Sequence, residues 1–192
     1  MGAMTEGPGL PRVLYSVRDR LPPTGDGEGL LFHDLSLTDL IRLSSAAARP
    51  AVVDLDSVEG LFPDAAALTF VADRLGIRMV ITRRPALALR AAGQGFLALL
   101  NVHCLDSTGF ERALEGHPGE PVGTAVSPGV VLEHLAPTQR RSLPLPVVAY
   151  GLVRRREDVE SALAAGAAAV MTTAASGQQP PADPRRRGAR HS

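Results

Sequence analysis

The stretch LPVVAYGLVRRREDVESALAAGAAAVMTT, residues 145–173, reads as a strand, a turn, a helix and a second strand. Residues 146–150 are a short apolar run that ends at Gly151, and residues 157–165 have helical periodicity. Residues 167–171 form a second apolar run. Two buried parallel strands joined by a helix make one βαβ unit, so this stretch predicts a parallel sheet covered by helices.

The same alternation continues upstream. The predicted strands are residues 13–17, 30–34, 51–55, 79–82, a segment within 96–105, 122–126, 146–150 and 167–171. The predicted helices are residues 37–48 with Thr38 as N-cap, 65–75 with Asp64 as N-cap, 86–92 after Pro85, 108–115, 130–140 and 157–165. Residues 18–28 contain two adjacent prolines and two glycines, so they are too short and broken for a normal crossover helix.

This alternation predicts a small TIM-type (β/α)8 barrel with a reduced first helix over residues 12–173. An open doubly wound sheet is the alternative architecture. Residues 1–11 are rich in glycine and proline, and residues 174–192 are rich in arginine, proline and glycine. Both terminal segments are therefore predicted to be disordered.

The amino-acid composition and net charge exclude some classes of function. The chain is 45% hydrophobic but only 4% aromatic, which suits a core of aliphatic side chains, and its net charge of zero gives no global attraction to nucleic acid or membrane. All 20 basic residues are arginine, which excludes Schiff-base and P-loop chemistry through a lysine. Cys104 is the single cysteine, and no apolar run reaches the length of a membrane span. A soluble cytoplasmic protein is the expectation.

Polar and small residues follow the predicted strands on one side only. They are Asp56 and Glu59, Arg83 and Arg84, Asp106 and Ser107, Gly129, Gly151, and Thr172 and Thr173. Both alternative folds collect functional groups at the carboxyl ends of their strands. Small and hydroxyl residues at the last two strands, Gly151, Thr172 and Thr173, are equally typical of a phosphate site and of strand ends that need tight turns.

The charged residues at these ends also have two interpretations. Asp56, Glu59 and Asp106 could be metal ligands or an acid/base pair, although acidic residues after strands more often cap helices or close turns. Arg83 and Arg84 could bind a phosphate, or one of them could pair with a carboxylate.

Arg154, Arg155 and Arg156 precede the last helix, where positive charge opposes the helix dipole. They are either kept for an anionic partner or simply solvated.

Several stretches, taken in order, are similar to one known family. They are VVDLDSVEGL at residues 52–61, ITRR at 81–84, LLNVHCLDS at 99–107, SPG at 127–129 and the run from residue 147 to 173. Together they resemble the glycerol-3-phosphate-responsive antiterminator family over most of the chain, residues 13–173.

The resemblance implies a TIM-type barrel that is a regulator of glycerol-uptake operons and not an enzyme. Such a protein needs no cofactor. Its effector would be glycerol 3-phosphate, and its macromolecular partner would be the leader of a nascent messenger RNA, with a homo-oligomer as one form in which it could act. By position, Gly151, Thr172 and Thr173 would form the phosphate site. Asp56, Glu59, Arg83, Asp106 and Ser107 would line the mouth, and the cluster Arg154, Arg155 and Arg156 could contact RNA.

The sequence departs from the family pattern at four positions. Tyr150 replaces the first of two glycines, Met171 a serine, Ala125 a glutamate and Asn101 an arginine. Two alternatives therefore stand beside the regulator. One is a small phosphate-substrate barrel enzyme, which requires two or three of the mouth carboxylates to converge. The other is a degenerate ligand-binding module whose mouth is filled by Tyr150.

Overall fold

The structure, a computed structural model, describes residues 9–173. Eight parallel strands pair in chain order, and the eighth closes on the first. The predicted (β/α)8 barrel is therefore confirmed, and the open doubly wound sheet is excluded. The tail predicted to be disordered, residues 174–192, and residues 1–8 of the N-terminal segment lie outside the described residues. Within that N-terminal segment Pro11 is buried, and Leu10 packs against the barrel interior.

The strands are β1 (Val13–Val17), β2 (Gly29–Phe32), β3 (Ala51–Asp54), β4 (Met79–Thr82), β5 (Leu97–His103), β6 (Gly123–Ser127), β7 (Val147–Ala149) and β8 (Ala169–Thr172). The helices are α1 (Leu37–Ser45), α2 (Ala65–Leu75), α3 (Pro85–Gly93), α4 (Ser107–Glu115), α5 (Pro137–Arg141) and α6 (Arg156–Ala164), with a 3₁₀ helix (Gly129–His134) after β6. The connection between β1 and β2 is irregular, as predicted for a reduced first helix. None of the helices between residues 9 and 173 has the length and apolar character needed to cross a membrane.

Alternate strand residues fill the barrel interior. The interior cluster consists of Leu14, Leu31, Val52, Met79, Ile81, Leu99, Ala125, Val148, Ala169 and Met171. The intervening strand residues pack outward against the helices in two further clusters. Because strand side chains alternate with a period of two, the interior positions that follow Val52, Leu99 and Val148 are polar. They are Asp54, Asn101 and Tyr150, and they lie at the carboxyl end of the barrel.

Local capping signals define α2 and α1. Asp64 accepts hydrogen bonds from the backbone N–H groups of the first turn of α2, as predicted, and Gly76 ends this helix in the left-handed conformation. The predicted cap of α1 was wrong. Ser36 is the N-cap, with Oγ accepting from Asp39 N at 3.1 Å, and Thr38 lies inside the first turn.

The single helix predicted for residues 130–140 is also wrong. The chain forms the 3₁₀ helix, is extended at Leu135 (φ −66°, ψ 139°) and Ala136 (φ −59°, ψ 150°), and starts α5 at Pro137. Proline has no N–H to donate and disfavours helical backbone in the residue before it, so a proline at this position divides the segment.

Gly123 is the first residue of β6, and the adjacent strand segments leave no room there for a side chain. A Cβ added there would lie 2.6 Å from the Pro146 carbonyl oxygen and 2.9 Å from Leu99 Cδ2. We expect Gly123→Ala to lower the free energy of unfolding by about 1–3 kcal/mol, measured by urea denaturation. Gly93→Ala is the matched control because a Cβ at Gly93, the last residue of α3, meets nothing within 4 Å. Equal stability of the two variants would contradict this steric account.

Candidate ligand-binding site

A cavity of about 450 Å³ opens at the carboxyl end of the barrel. It is lined by His33, Asp34, Asp54, Asp56, Ser57, Arg83, Asn101, His103, Ser127, Tyr150 and Gly151. Except for the glycine, every lining residue has a polar side chain. The volume lies in the range of small-molecule sites, and the position is the end of a (β/α)8 barrel at which function collects.

A hydrogen bond crosses the cavity from one strand to another. Tyr150 Oη donates to Asp54 Oδ2 at 2.7 Å, and the backbone N–H of Asp56 donates to Asp54 Oδ1 at 3.1 Å. Asp54 is 5% exposed. Burial raises the pKa of the Asp54 carboxyl, and the hydrogen bond from Tyr150 opposes that rise. Burial and the adjacent Asp54 raise the pKa of the Tyr150 hydroxyl far above its usual range, so Tyr150 remains a donor.

His33 lies beside this pair. Its Nε2 is 3.0 Å from Ser16 Oγ, and its Nδ1 is 2.9 Å from Asp34 Oδ2. Its ring meets the Tyr150 ring edge to face, with centroids 6.2 Å apart. Asp34 has a φ of +51°, a conformation that few residues other than glycine adopt. The end of β2 therefore presents an imidazole that is held in place on both sides.

Asp56 connects the loop after β3 to the end of β4. Its side chain is 6% exposed and accepts hydrogen bonds from Thr82 Oγ1 at 2.8 Å and from Arg83 N at 2.6 Å. Arg84 Nε adds an ion pair at 3.3 Å, and the Arg84 guanidinium lies 5.3 Å from the centre of the Phe62 ring. Arg83 and Arg84 therefore have different roles. Arg84 makes the structural ion pair, and Arg83 is exposed at the cavity.

The three residues predicted to bind phosphate do not share one environment. Gly151 lines the cavity with a φ of +77°. Since Met171 faces the barrel interior, Thr172 faces outward, and its Oγ1 donates to the Val153 carbonyl at 2.9 Å. Thr173 is exposed, and its backbone N–H donates to the same carbonyl at 3.4 Å. The end of β8 therefore holds the loop between β7 and α6, and of these residues Gly151 lines the cavity.

The predicted mouth residues Glu59 and Asp106 are placed differently from Asp56. Glu59 is exposed, and its backbone bonds to that of Leu35 at 2.8 Å. Asp106 caps α4 by accepting from Gly109 N at 2.7 Å, and Ser107 is the first residue of α4. Among the described residues, neither Glu59 nor Asp106 lines the cavity, so the carboxylates Asp56, Glu59 and Asp106 do not converge there. Residues 9–173 also contain no group of three or more His, Cys, Asp or Glu arranged to hold a metal.

The arginine cluster before α6 is largely compensated by the helix itself. Arg155 pairs with Asp158 at 2.8 Å, and Arg156 pairs with Glu160 at 2.8 Å. Asp158 also accepts from the backbone N–H groups of Arg154 and Arg155, and the Arg155 side chain lowers the pKa of this carboxyl. The Arg154 side chain is exposed, and the described part of the chain offers it no ion pair.

The sequence predictions missed Asp54 and Asn101 as lining residues, and they placed Tyr150 at the mouth only as a residue that would fill it. Asp54, Asn101 and Tyr150 each occupy an interior position two residues after an interior aliphatic residue. That spacing identifies them only once the interior face of each strand is known. Asn101 is unusual because its Oδ1 is buried and has no hydrogen-bond partner among the described residues.

Two solved structures share this fold. A glycerol uptake operon antiterminator regulatory protein from Listeria monocytogenes str. 4b F2365 superposes with a TM-score of 0.66 at 21% sequence identity, covering 84% of this chain and 91% of that one. A glycerol uptake operon antiterminator-related protein from Thermotoga maritima MSB8 gives a TM-score of 0.66 at 24% identity, covering 84% and 94%. No curated protein matches this chain.

The sequence profile of the family described as "Glycerol-3-phosphate responsive antiterminator" matches residues 30–176. The match begins within β2 and runs through β8, so it includes every strand end that lines the mouth cavity. With most of its barrel covered, this chain is a member of the glycerol-3-phosphate responsive antiterminator family.

Proposed function

We propose that this protein is an RNA-binding transcription antiterminator that regulates glycerol uptake genes in response to glycerol 3-phosphate. The observation that carries the proposal is the family match over residues 30–176. Its partners are then a leader messenger RNA and the small phosphorylated effector, and its place of action is the cytoplasm, where nascent transcripts are made.

The family is regulatory and not enzymatic. The local geometry gives a physical reason why the carboxylates that the sequence predicted at the mouth are unsuited to acid/base catalysis. Asp56 accepts three hydrogen bonds from the end of β4, and Asp106 caps a helix. Carboxylates that are committed to such contacts have little freedom to exchange protons with a substrate.

The effector is proposed to bind in the mouth cavity. Arg83 is the exposed cation on its wall, and a guanidinium can bind a phosphate with two parallel hydrogen bonds. Gly151 has no side chain, so the backbone can approach the anion closely. Thr173 follows the end of the adjacent strand β8. Thr172 contributes indirectly, because its hydroxyl holds the Val153 carbonyl and thereby the loop that carries Gly151. Tyr150 forms part of the wall and leaves the cavity open, which favours a binding protein over a filled, degenerate module.

The RNA contact is proposed to include Arg154, Arg155 and Arg156. Arg154 offers the most charge to a phosphate backbone, because Asp158 and Glu160 partly neutralise the other two arginines. The effector would act by favouring a conformation or an oligomer that binds RNA more tightly, which makes the two ligands mutually reinforcing.

The test is filter binding of the full chain to the leader transcript of its glycerol uptake genes, with and without glycerol 3-phosphate. We expect the effector to tighten RNA binding by about 5- to 150-fold, the usual range of allosteric coupling. Arg83→Ala should abolish this response and leave effector-free RNA binding unchanged, and Arg154→Ala should weaken RNA binding in both conditions. Arg90→Ala, which removes an exposed arginine from the last turn of α3, is the matched control. Absence of RNA binding at low salt in both conditions would reject the proposal.

A further inference from the structure

The inner wall of the mouth cavity presents hydrogen-bond acceptors. Asn101 Oδ1 is buried and has no partner among residues 9–173, although Asn101 lines the cavity. The Asp54 carboxylate, on the interior side of β3, is 5% exposed and lines the same cavity. We call Asn101 Oδ1 and the Asp54 carboxylate the acceptor pair. A buried acceptor without a donor is unfavourable, and a ligand that supplies the donor removes that penalty.

On the side of β4, the outer wall carries a cation. Arg83 is exposed beside the cavity, with its backbone N–H held by Asp56 and its neighbour Arg84 paired with the same carboxylate. The cavity therefore has acceptors on the inside, while its rim carries the Arg83 guanidinium on one side and the exposed Asp34 carboxylate, paired with His33 at 2.9 Å, on the other. An anionic group is repelled by the Asp54 carboxylate and attracted by the Arg83 guanidinium.

We propose that the acceptor pair accepts hydrogen bonds from the hydroxyl groups of the effector. A polyol phosphate then binds with its hydroxyl end inward and its phosphate at the rim beside Arg83. This inference rests on the proposed function, because it assigns the orientation of the effector and the residues that select it. Asn101 and Asp54 are specificity-determining residues for a polyol phosphate. Tyr150 positions Asp54 through its hydrogen bond and limits the depth to which the ligand enters.

Analogues that lack hydroxyl groups separate the contribution of the hydroxyl end of the ligand from that of its phosphate. Glycerol 3-phosphate carries two hydroxyl groups, 2-hydroxypropyl phosphate and 3-hydroxypropyl phosphate carry one each, and propyl phosphate carries none. All four offer the same phosphate to Arg83. If the acceptor pair selects the ligand, affinity must fall as hydroxyl groups are removed, and the loss must depend on Asn101 and Asp54.

The experiment is isothermal titration calorimetry of the full chain with these four compounds and with inorganic phosphate. We expect glycerol 3-phosphate to bind about tenfold or more tightly than propyl phosphate. In Asn101→Ala the ratio of the two affinities should shrink, since one acceptor is lost. Gln94→Ala removes an exposed amide after α3, at the opposite end of the barrel, and should keep the wild-type ratio. The wild-type series alone tests the inference if a variant does not fold.

Suppose that glycerol 3-phosphate and propyl phosphate bind with equal affinity and that Arg83→Ala abolishes both. This result would overturn the proposed role of the acceptor pair but would leave the mouth cavity as the effector site. An affinity ratio in Asn101→Ala that matches the wild-type ratio would also overturn it. If glycerol 3-phosphate does not bind the wild-type chain at all, the proposed effector response and this inference fail together.

Discussion

Asp56→Ala is expected to lower the free energy of unfolding by about 3 kcal/mol. The side chain of Asp56 is 6% exposed and accepts from Thr82 Oγ1, Arg83 N and Arg84 Nε. Thr82 is fully buried, so its hydroxyl cannot turn to water when the carboxylate is removed. Loss of one side chain thus leaves several donors unsatisfied at the junction of β3 and β4. Urea denaturation at neutral pH measures the change.

Asp106→Ala is the matched control for this substitution. Asp106 is an exposed acid that also follows a strand, but it caps α4 through a single backbone N–H. Loss of such a cap costs about 1 kcal/mol. A loss in Asp56→Ala no larger than the loss in Asp106→Ala would mean that the contacts around Asp56 add no stability beyond that of a cap.

Tyr150→Phe is expected to lower the free energy of unfolding by about 2 kcal/mol at about pH 8, and by less at about pH 4.5. The lost hydroxyl donates to Asp54, and it stabilises the ionised carboxylate more than the protonated acid. Burial raises the pKa of folded Asp54 above its unfolded value, so the folded protein binds this proton more tightly. Stability therefore falls as pH rises from about 4 through the raised pKa.

The substitution removes the group that opposes this rise, so the pKa of Asp54 should increase further, and the decline of stability with pH should become larger and extend to higher pH. Denaturation curves of the wild type and the variant at several pH values measure both effects. Tyr15→Phe is the control, because Tyr15 Oη donates to Glu28 Oε1 at 3.0 Å on the β1–β2 side of the barrel. A loss in Tyr150→Phe that is the same at both ends of the pH range would contradict the proposed role of Asp54.

Local sequence signals predicted the fold well. The helix α2 has the predicted residues and the predicted cap Asp64, and β4 occupies the predicted residues 79–82. Parallel strands that are buried on both faces are continuous apolar runs, and the residues that interrupt those runs define the turns. The segment from residue 130 to 140 failed because helical periodicity outweighed the effect of Pro137 in the prediction.

The candidate site was only partly predictable. Asp56, Arg83 and Gly151 follow strands and were identified from that position. Asp54 and Asn101 lie in strands whose two faces are both buried, so nothing in the local pattern indicates which face becomes the interior until the barrel closes. The contact between Tyr150 and Asp54 joins residues 96 positions apart, and no local spacing predicts it. The same closure turns Thr172 outward and away from the phosphate site predicted for it.

Arg83 and Arg84 are adjacent in the chain, yet one faces the cavity and the other stacks on Phe62, which is 69% exposed. Asp56 holds both residues, through the backbone of one and the guanidinium of the other. The cavity wall is therefore linked, through Asp56 and Arg84, to an aromatic ring that is in contact with solvent. The chain contains no tryptophan, so a Phe62→Trp variant would carry a single indole at this point, and its fluorescence would give an optical readout of mouth occupancy.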